Sequence, residues 1–263
     1  MEVVPVVFLR AQVFERTRPS ELAALAARTW RQVGSLARAG GLSFRELQLD
    51  CDWTESTRGA YFAFLEQLDK EARAAGVALG ASIRLHQVMP RERTGVPPVG
   101  RGMLMFYNMG RLSADADGGY IFDPQAAARY TARLREYPLP LDVALPLWAW
   151  TVQLRGDAVV GLLQATNPDE LQAIPWLVPA GPGRFTASKT TFLHGALIRE
   201  GDVLKAERIG PAEARAAAEL VAGALPPPAA GDHPRAVALF NLSERNLARH
   251  GQPSLDQLFP LFQ

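Results

Sequence analysis

The sequence predicts an α/β fold, a single-domain (β/α) TIM-like barrel that is incomplete or decorated. Short apolar, β-branched runs alternate with Ala-rich stretches of helical spacing, which is the rhythm of βα units. A length of 263 residues suits one such barrel, which commonly takes about 250. Several of the apolar runs also end in polar residues, and strand ends are where α/β folds place their sites.

Val4 to Leu9 is the first short strand. Pro19-Ser20 opens a helix in which Leu22, Leu25, Ala26, Trp30 and Val33 share a stripe. Gly40-Gly41 breaks the chain before a second strand, Glu46 to Trp53. The next helix carries Tyr61, Phe62, Leu65 and Leu68 on its apolar face and ends near Gly76. Val77 to Gln87 reads as the third strand and Met103 to Asn108 as the fourth. The connection over 88–101 holds three prolines and two glycines, so no full helix is expected there. Asp123-Pro124 opens a helix to about Tyr137, with proline at its first position. Pro140 to Leu154 contains a fifth strand, and Arg155-Gly156-Asp157 turns it into a hairpin return.

Residues 155–209 depart from the βα rhythm and read as a β-rich excursion, with Gly181, Pro182, Gly183 and a Thr/Ser cluster. A helix over 211–224 starts at Pro211 and stops before Pro226-Pro227-Pro228. Arg235 to Leu242 gives a last strand, and Ser254 to Leu261 a terminal helix. The strands that can join a barrel number fewer than eight.

Composition narrows the function classes. Lys plus Arg total 28 against 27 Asp plus Glu, a net charge of +1, so no electrostatic reason exists to expect nucleic acid as partner. Only three of the basic residues are lysine (Lys70, Lys189, Lys205). A single cysteine, Cys51, rules out an intramolecular disulfide and a thiolate metal cluster. No apolar run approaches the roughly 20 residues a membrane-spanning helix needs. Met1 to Leu9 lacks the charged region and cleavage site of a signal peptide. There is no Gly-rich phosphate loop, no GxSxG elbow and no HExxH helix, so neither dinucleotide binding nor Ser/His/Asp hydrolysis is supported, and no cofactor is expected.

Chemistry concentrates at the strand ends. In a strand alternate side chains share a face, so Gln48, Asp50 and Asp52 point together while Leu47, Leu49 and Cys51 point away. Two carboxylates so placed repel, and one proton affinity rises unless a cation stands nearby. The pair suits acid/base work; the plainer alternative makes Asp50 a buried structural acid and Asp52 a helix cap. On the third strand Ser82, Arg84 and His86 share a face. Arg84 can hold the carboxylates ionised and His86 can act as base, donor or ligand, or Arg84 can simply form a strand-end ion pair. At the fourth strand's end either Tyr107 or Asn108 faces inward to meet a substrate. Trp148 and Trp150 sit on one face of the fifth strand, where indoles stack on sugar rings; core packing is the competing role. Glu244 is a further candidate carboxylate, or part of a surface turn.

The run from Glu46 to Gly110 resembles a group of bacterial (β/α)-barrel proteins distantly related to glycoside hydrolases. The resemblance lies in Gln48-Leu49-Asp50-Cys51-Asp52, then Leu79 to Leu85, then Met103-Leu104-Met105-Phe106-Tyr107-Asn108-Met109-Gly110. It implies a (β/α) barrel, commonly exported or lipid-anchored, and no particular reaction. Arg84-Leu85-His86-Gln87 departs from it, being more charged than that strand end usually is.

The leading expectation is therefore a carbohydrate-active, glycoside-hydrolase-like barrel acting on a bacterial or extracellular polysaccharide. Asp52 would be general acid or nucleophile and Asp50 would tune it, while Arg84, His86, Tyr107, Asn108, Trp148 and Trp150 would bind substrate. Carboxylates about 5–5.5 Å apart suit retention and about 6.5–9.5 Å inversion; residues two apart on a strand lie roughly 6.5–7 Å apart at Cα. The second expectation is a non-catalytic glycan-binding or assembly barrel. The third is a metal-dependent hydrolase with Asp50, Asp52 and His86 as ligands.

Overall fold

The computed structural model describes residues 2–89, 91–109, 119–164, 166, 168–228, 234–241 and 243–263. Gly110 and Leu242, which the sequence places at strand ends, lie outside these residues. In chain order the helices are α1 (Ala11–Arg16), α2 (Leu22–Ala39), α3 (Arg58–Ala74), α4 (Leu85–Val88), α5 (Arg91–Thr94), α6 (Pro124–Thr131), α7 (Pro168–Gln172), α8 (Pro211–Ala224), α9 (Glu244–His250) and α10 (Gln252–Asp256). The parallel strands are β1 (Val6–Leu9), β2 (Glu46–Cys51), β3 (Ala78–Arg84), β4 (Arg101–Met105) and β5 (Leu141–Pro146), joined near the C-terminus by β13 (Val237–Phe240). Between them come β6 (Ala149–Arg155), β7 (Ala158–Gln164), β8 (Leu177–Pro179), β9 (Arg184–Ala187), β10 (Thr191–Leu193), β11 (Ala196–Ile198) and β12 (Val203–Arg208).

The parallel sheet has six strands in the order β1-β2-β3-β4-β5-β13. Pairing from β1 to β4 is parallel throughout. Gly102 and Phe106 donate backbone N–H to Pro140 and Ala144, and Val143 and Leu147 donate to Ala236 and Phe240. Both steps advance in the same direction on the two strands, so these pairs are parallel as well. An order that never reverses is that of a (β/α) barrel, not of a doubly wound sheet. Among the described residues the sheet stops at six, short of eight, so the barrel is incomplete.

By contacts the chain forms two compact units, the first comprising Met1–Met105, Ala132–Val143 and Leu225–Ala236. Its centre is β2, where burial alternates residue by residue. Leu47, Leu49 and Cys51 are fully buried, as are Tyr61, Phe64, Leu65 and Leu68 of α3. Each such side chain contributes roughly 1.5–3 kcal/mol through burial. Trp53, just past β2, stacks on Tyr61 with centroids 5.3 Å apart, so this strand end is held by rings as well as by the ladder. α2 extends past the expected stretch to Ala39, because Leu22, Ala26, Val33 and Ala37 continue one buried stripe up to the Gly40-Gly41 break. At Gly102 a Cβ would lie 2.7 Å from Ile83 and 2.8 Å from Leu141; a glycine there lets β3, β4 and β5 pack side by side.

The second unit comprises Phe106–Thr131, Ala144–Ala224 and Val237–Gln263. A five-stranded antiparallel sheet in the order β7-β6-β12-β9-β8 occupies much of it, with β10 and β11 as a separate hairpin. The stretch Pro140 to Leu154, expected to contain the fifth strand, carries two strands, β5 and most of β6. At Leu147-Trp148 the chain exchanges partners: Leu147 N–H donates to Phe240, and the Trp148 carbonyl accepts from Ile209. One continuous apolar run serves two sheets, and hydrophobic periodicity alone does not register the change. α6 is shorter than the expected helix, ending at Thr131, although Asp123 caps it by accepting from Gln125 and Ala126 N–H. The terminal helix expected over Ser254 to Leu261 is instead α10 followed by a 3₁₀ turn. Glu244, placed in a strand end or turn by the sequence, begins α9, which Ser243 caps by accepting from Asn246 N–H.

The antiparallel sheet is pinned by Asp202, whose side chain is 1% exposed. It accepts from Arg155 Nε and Nη2 at 2.8 and 2.9 Å, from Gln153 Nε2 at 2.7 Å and from Arg199 N–H at 2.8 Å. Burial alone would raise its proton affinity, but these donors prevail and hold its pKa at about 2. A depressed folded pKa stabilises the fold above the unfolded value of about 3.9, and that contribution is lost as pH falls through the folded value. Asp202→Ala, which takes the carboxylate away from Gln153 Nε2, Arg199 N–H and the part-exposed Arg155 guanidinium, is expected to cost about 1–3 kcal/mol in urea unfolding. It should also flatten the stability loss of the wild type below about pH 4. A cost under about 1 kcal/mol would show that the network is dispensable.

Candidate functional site

The C-terminal ends of β2 and β3 bring four of the sequence-predicted residues together within the first unit. Because Leu47, Leu49 and Cys51 take the buried face, Gln48, Asp50 and Asp52 take the other. Gln48 Nε2 donates to Ser82 Oγ across the β2/β3 pair at 2.8 Å. Next along the face, Arg84 lies between the two acids, with Nη2 3.3 Å from Asp50 Oδ1 and Nε 3.4 Å from Asp52 Oδ1. His86 Nε2 reaches the same Asp52 oxygen at 3.0 Å.

His86 arrives there by a route the sequence reading did not foresee. The third strand ends at Arg84, and Leu85–Val88 forms a helical turn, so His86 is not on the strand face with Ser82 and Arg84. Gln87 is the cause. Its fully buried side chain accepts from Arg84 N–H at 2.9 Å and donates toward the carbonyls of Cys51 and Trp53 at 3.4 and 3.3 Å. Thr94 Oγ1 donates to the Gln87 carbonyl at 2.8 Å, and Trp53 Nε1 donates to the Thr94 carbonyl at 2.8 Å. Gln87 thus clamps α4 to the end of β2 and delivers His86 to Asp52. The sequence signal for Gln87 is an amide three residues after a strand-ending Arg, the position of a helix-start cap, and strand alternation does not reveal it.

The two carboxyls are driven apart in proton affinity. Burial raises Asp50 and adjacent Asp52 adds to the effect, outweighing the lowering by Arg84 and by the Ser82 hydrogen bond. Asp52 is lowered, first by its hydrogen bond from His86, which with the charge of Arg84 outweighs its desolvation. The asymmetry follows exposure, since the Asp52 side chain is 56% exposed and that of Asp50 17%. Between them Cys51 is pushed up to about 12 by burial and then by the flanking carboxylates, so its thiol stays protonated and is not a nucleophile. The cluster therefore sets a carboxyl of raised proton affinity beside one of lowered affinity. Among the described residues no group of three His, Cys, Asp or Glu converges as a metal-binding set.

The aromatic candidates gather separately, in the second unit. Tyr107 meets Trp148 edge-on at 4.9 Å and stacks on Phe240 at 5.4 Å, while Trp148 and Trp150 cross at 6.2 Å. Trp150 lies on β6 and Trp148 just before it, not on a fifth barrel strand. Trp150 Nε1 donates to Glu207 at 3.4 Å. Tyr107 and Trp148 are buried, whereas Phe240 is 46% exposed, so the open ring of this group is one that sequence analysis did not single out. β4 ends at Met105, so strand alternation does not choose between Tyr107 and Asn108. Asn108 has a left-handed φ of 57°, a region Asn tolerates, and its side chain is exposed outside the aromatic group.

No family model matches the sequence, and no curated protein sequence is similar to it. Solved structures are similar in fold. A chitinase from Chromobacterium violaceum superposes with a TM-score of 0.60 at 11% identity, over 98% of this chain and 80% of that one. The spore cortex-lytic enzyme SleL of Bacillus megaterium gives 0.59 at 11% identity, over 99% of this chain. A class V chitinase from Pseudomonas fluorescens gives 0.56 at 14% identity, over 98% of this chain and 80% of that one. This chain spans 59% of the length of SleL. At such identities the likeness establishes the fold alone, an α/β fold of the TIM-barrel type.

Gln87→Leu keeps the bulk but removes the acceptor of Arg84 N–H and the donor to the Cys51 and Trp53 carbonyls. It is expected to cost about 1–3 kcal/mol in chemical denaturation and to shift the His86 imidazole resonances away from their Asp52-bonded position. Unchanged His86 resonances would show that Gln87 does not place the ring.

Proposed function

We propose that this chain is a carbohydrate-active, glycoside-hydrolase-like domain whose reacting groups are Asp50 and Asp52. The observation behind the reading is the opposite drive on two neighbouring carboxyls at strand C-terminal ends. Glycoside hydrolysis needs one protonated and one ionised carboxyl, and environments that separate two affinities are how a fold assigns such roles. Asp52, held ionised by His86 and Arg84, serves as nucleophile, base or charge stabiliser. Asp50 carries the proton, a division that moves the acid role away from Asp52. Arg84 keeps the anion in place without neutralising it, and His86 orients its oxygen. Within the second unit the exposed Phe240, stacked on the buried Tyr107, offers an open ring of the kind that suits the apolar face of a sugar, and Asn108 offers an exposed amide. The fold likeness to two chitinases and a spore cortex-lytic enzyme supports polysaccharides as the substrate class, and makes chitin oligosaccharides and bacterial cell-wall glycans the first to try.

The test is hydrolysis and binding of these glycans by the wild type and by Asp52→Asn. Turnover falling by at least about a hundredfold with binding retained supports a hydrolase. Binding by both proteins with no product from either replaces this reading with a glycan-recognition domain. The pH dependence of kcat/KM gives a second prediction. Its acid limb should follow Asp52, below the ordinary carboxylate range, and its alkaline limb should follow Asp50, above it, giving a bell with its optimum on the acid side. His86→Ala should move the acid limb upward; a limb that stays in place would remove His86 from the site.

A further inference from the structure

A cavity lies at the N-terminal ends of the parallel strands, the opposite end from Asp50 and Asp52. Its volume is about 280 Å³ and its walls come entirely from the first unit, around the starts of β4 and β5. We propose that it binds a small organic monocarboxylate with an apolar, ring-sized body.

Charge is the first argument. Two guanidiniums, Arg101 and Arg235, line the cavity with one carboxylate, Asp142. Asp142 is nearly buried and already committed: Arg101 Nη1 donates to its two oxygens at 3.2 and 3.1 Å, and Ala236 N–H donates to Oδ1 at 2.7 Å. Arg235 is anchored by Nε to the Leu141 carbonyl at 2.8 Å and by Nη2 to the Pro226 carbonyl at 2.6 Å. Among the described residues, Arg101 Nη2 and Arg235 Nη1 donate to no protein acceptor. Among the described residues the lining keeps one positive charge in excess and fixed donors to deliver it, which matches a monoanion; a phosphate carrying nearly two charges would be under-neutralised. The planar guanidinium fork favours a carboxylate.

Shape is the second argument. Leu134, Tyr137, Leu141 and Leu225 make the inner wall apolar, and all four are buried. An apolar cavity of about 150 Å³ accepts a benzene ring, so the larger volume here takes a ring together with its carboxylate. Five prolines, Pro138, Pro140, Pro226, Pro227 and Pro228, form the exposed part of the lining. Proline fixes φ, so the opening is preorganised and loses little freedom on binding. In barrels the N-terminal ends of strands serve stability, not catalysis; a ligand here would act on the fold and not on a glycan.

The test is calorimetric titration of the wild-type chain with benzoate and with benzamide, its uncharged counterpart. Benzoate is expected to bind one to one with a Kd on the order of 1 mM or tighter, and benzamide at least about tenfold more weakly. The Nε–H resonances of Arg101 and Arg235 should move with benzoate alone, which locates the site without a variant. Leu139→Trp fills the part-exposed mouth and should abolish benzoate binding while the melting temperature is kept. Equal affinity for the two compounds, no saturable benzoate binding, or unmoved arginine resonances would each overturn the proposal.

Discussion

Burial of Leu47, Leu49 and Cys51 behind β2 sets the register of the strand, and through it the whole candidate site. A pleated strand offers two faces, and a slip of one residue would send both aspartates into a layer of rings and leucines. The cost of burying two carboxylates there far exceeds any gain from different packing. The core thus decides where Asp50 and Asp52 point, and the stacking of Trp53 on Tyr61 fixes where the strand stops. A hydrophobic constraint delivers two like charges to one place.

That delivery creates an electrostatic problem, which β3 and α4 solve in two different ways. Arg84 lies within ion-pair distance of both acids. Its charge lowers both, but burial outweighs it at Asp50, which keeps a raised proton affinity. His86 bonds to Asp52 alone and makes the split decisive. Its position depends on Gln87, a neutral amide that touches neither acid. The site rests on a buried amide as much as on its charges.

Much of this was legible in the sequence. The alternation in Leu47-Gln48-Leu49-Asp50-Cys51-Asp52 was enough to place the acids, because period two is local. Arg84 followed by the same logic. His86 was assigned to the right neighbourhood on a wrong premise, since the strand closes at Arg84 and a helical turn brings the ring back. The sequential parallel order is readable from the βα rhythm, but the change from β5 to β6 within Pro140 to Leu154 is not. Its hydrogen-bond partners, β13 and then β12, are remote in sequence, and a local pattern is silent about partners. Phe240 was missed for a similar reason. It stands out by stacking on Tyr107, a contact between residues far apart along the chain. The cavity walled by Arg101, Asp142 and Arg235 likewise assembles three distant segments.

The central claim is that environment splits the two carboxyls, with Asp52 the stronger acid. Carbon-detected NMR titration of the Asp50 and Asp52 side-chain carboxyls in the wild-type chain tests it most directly. The expected result is two separated transitions, Asp52 titrating below the ordinary carboxylate range and Asp50 above it. Coincident midpoints, or Asp50 ionising first, would contradict the assignment of proton and charge on which the proposed hydrolysis stands.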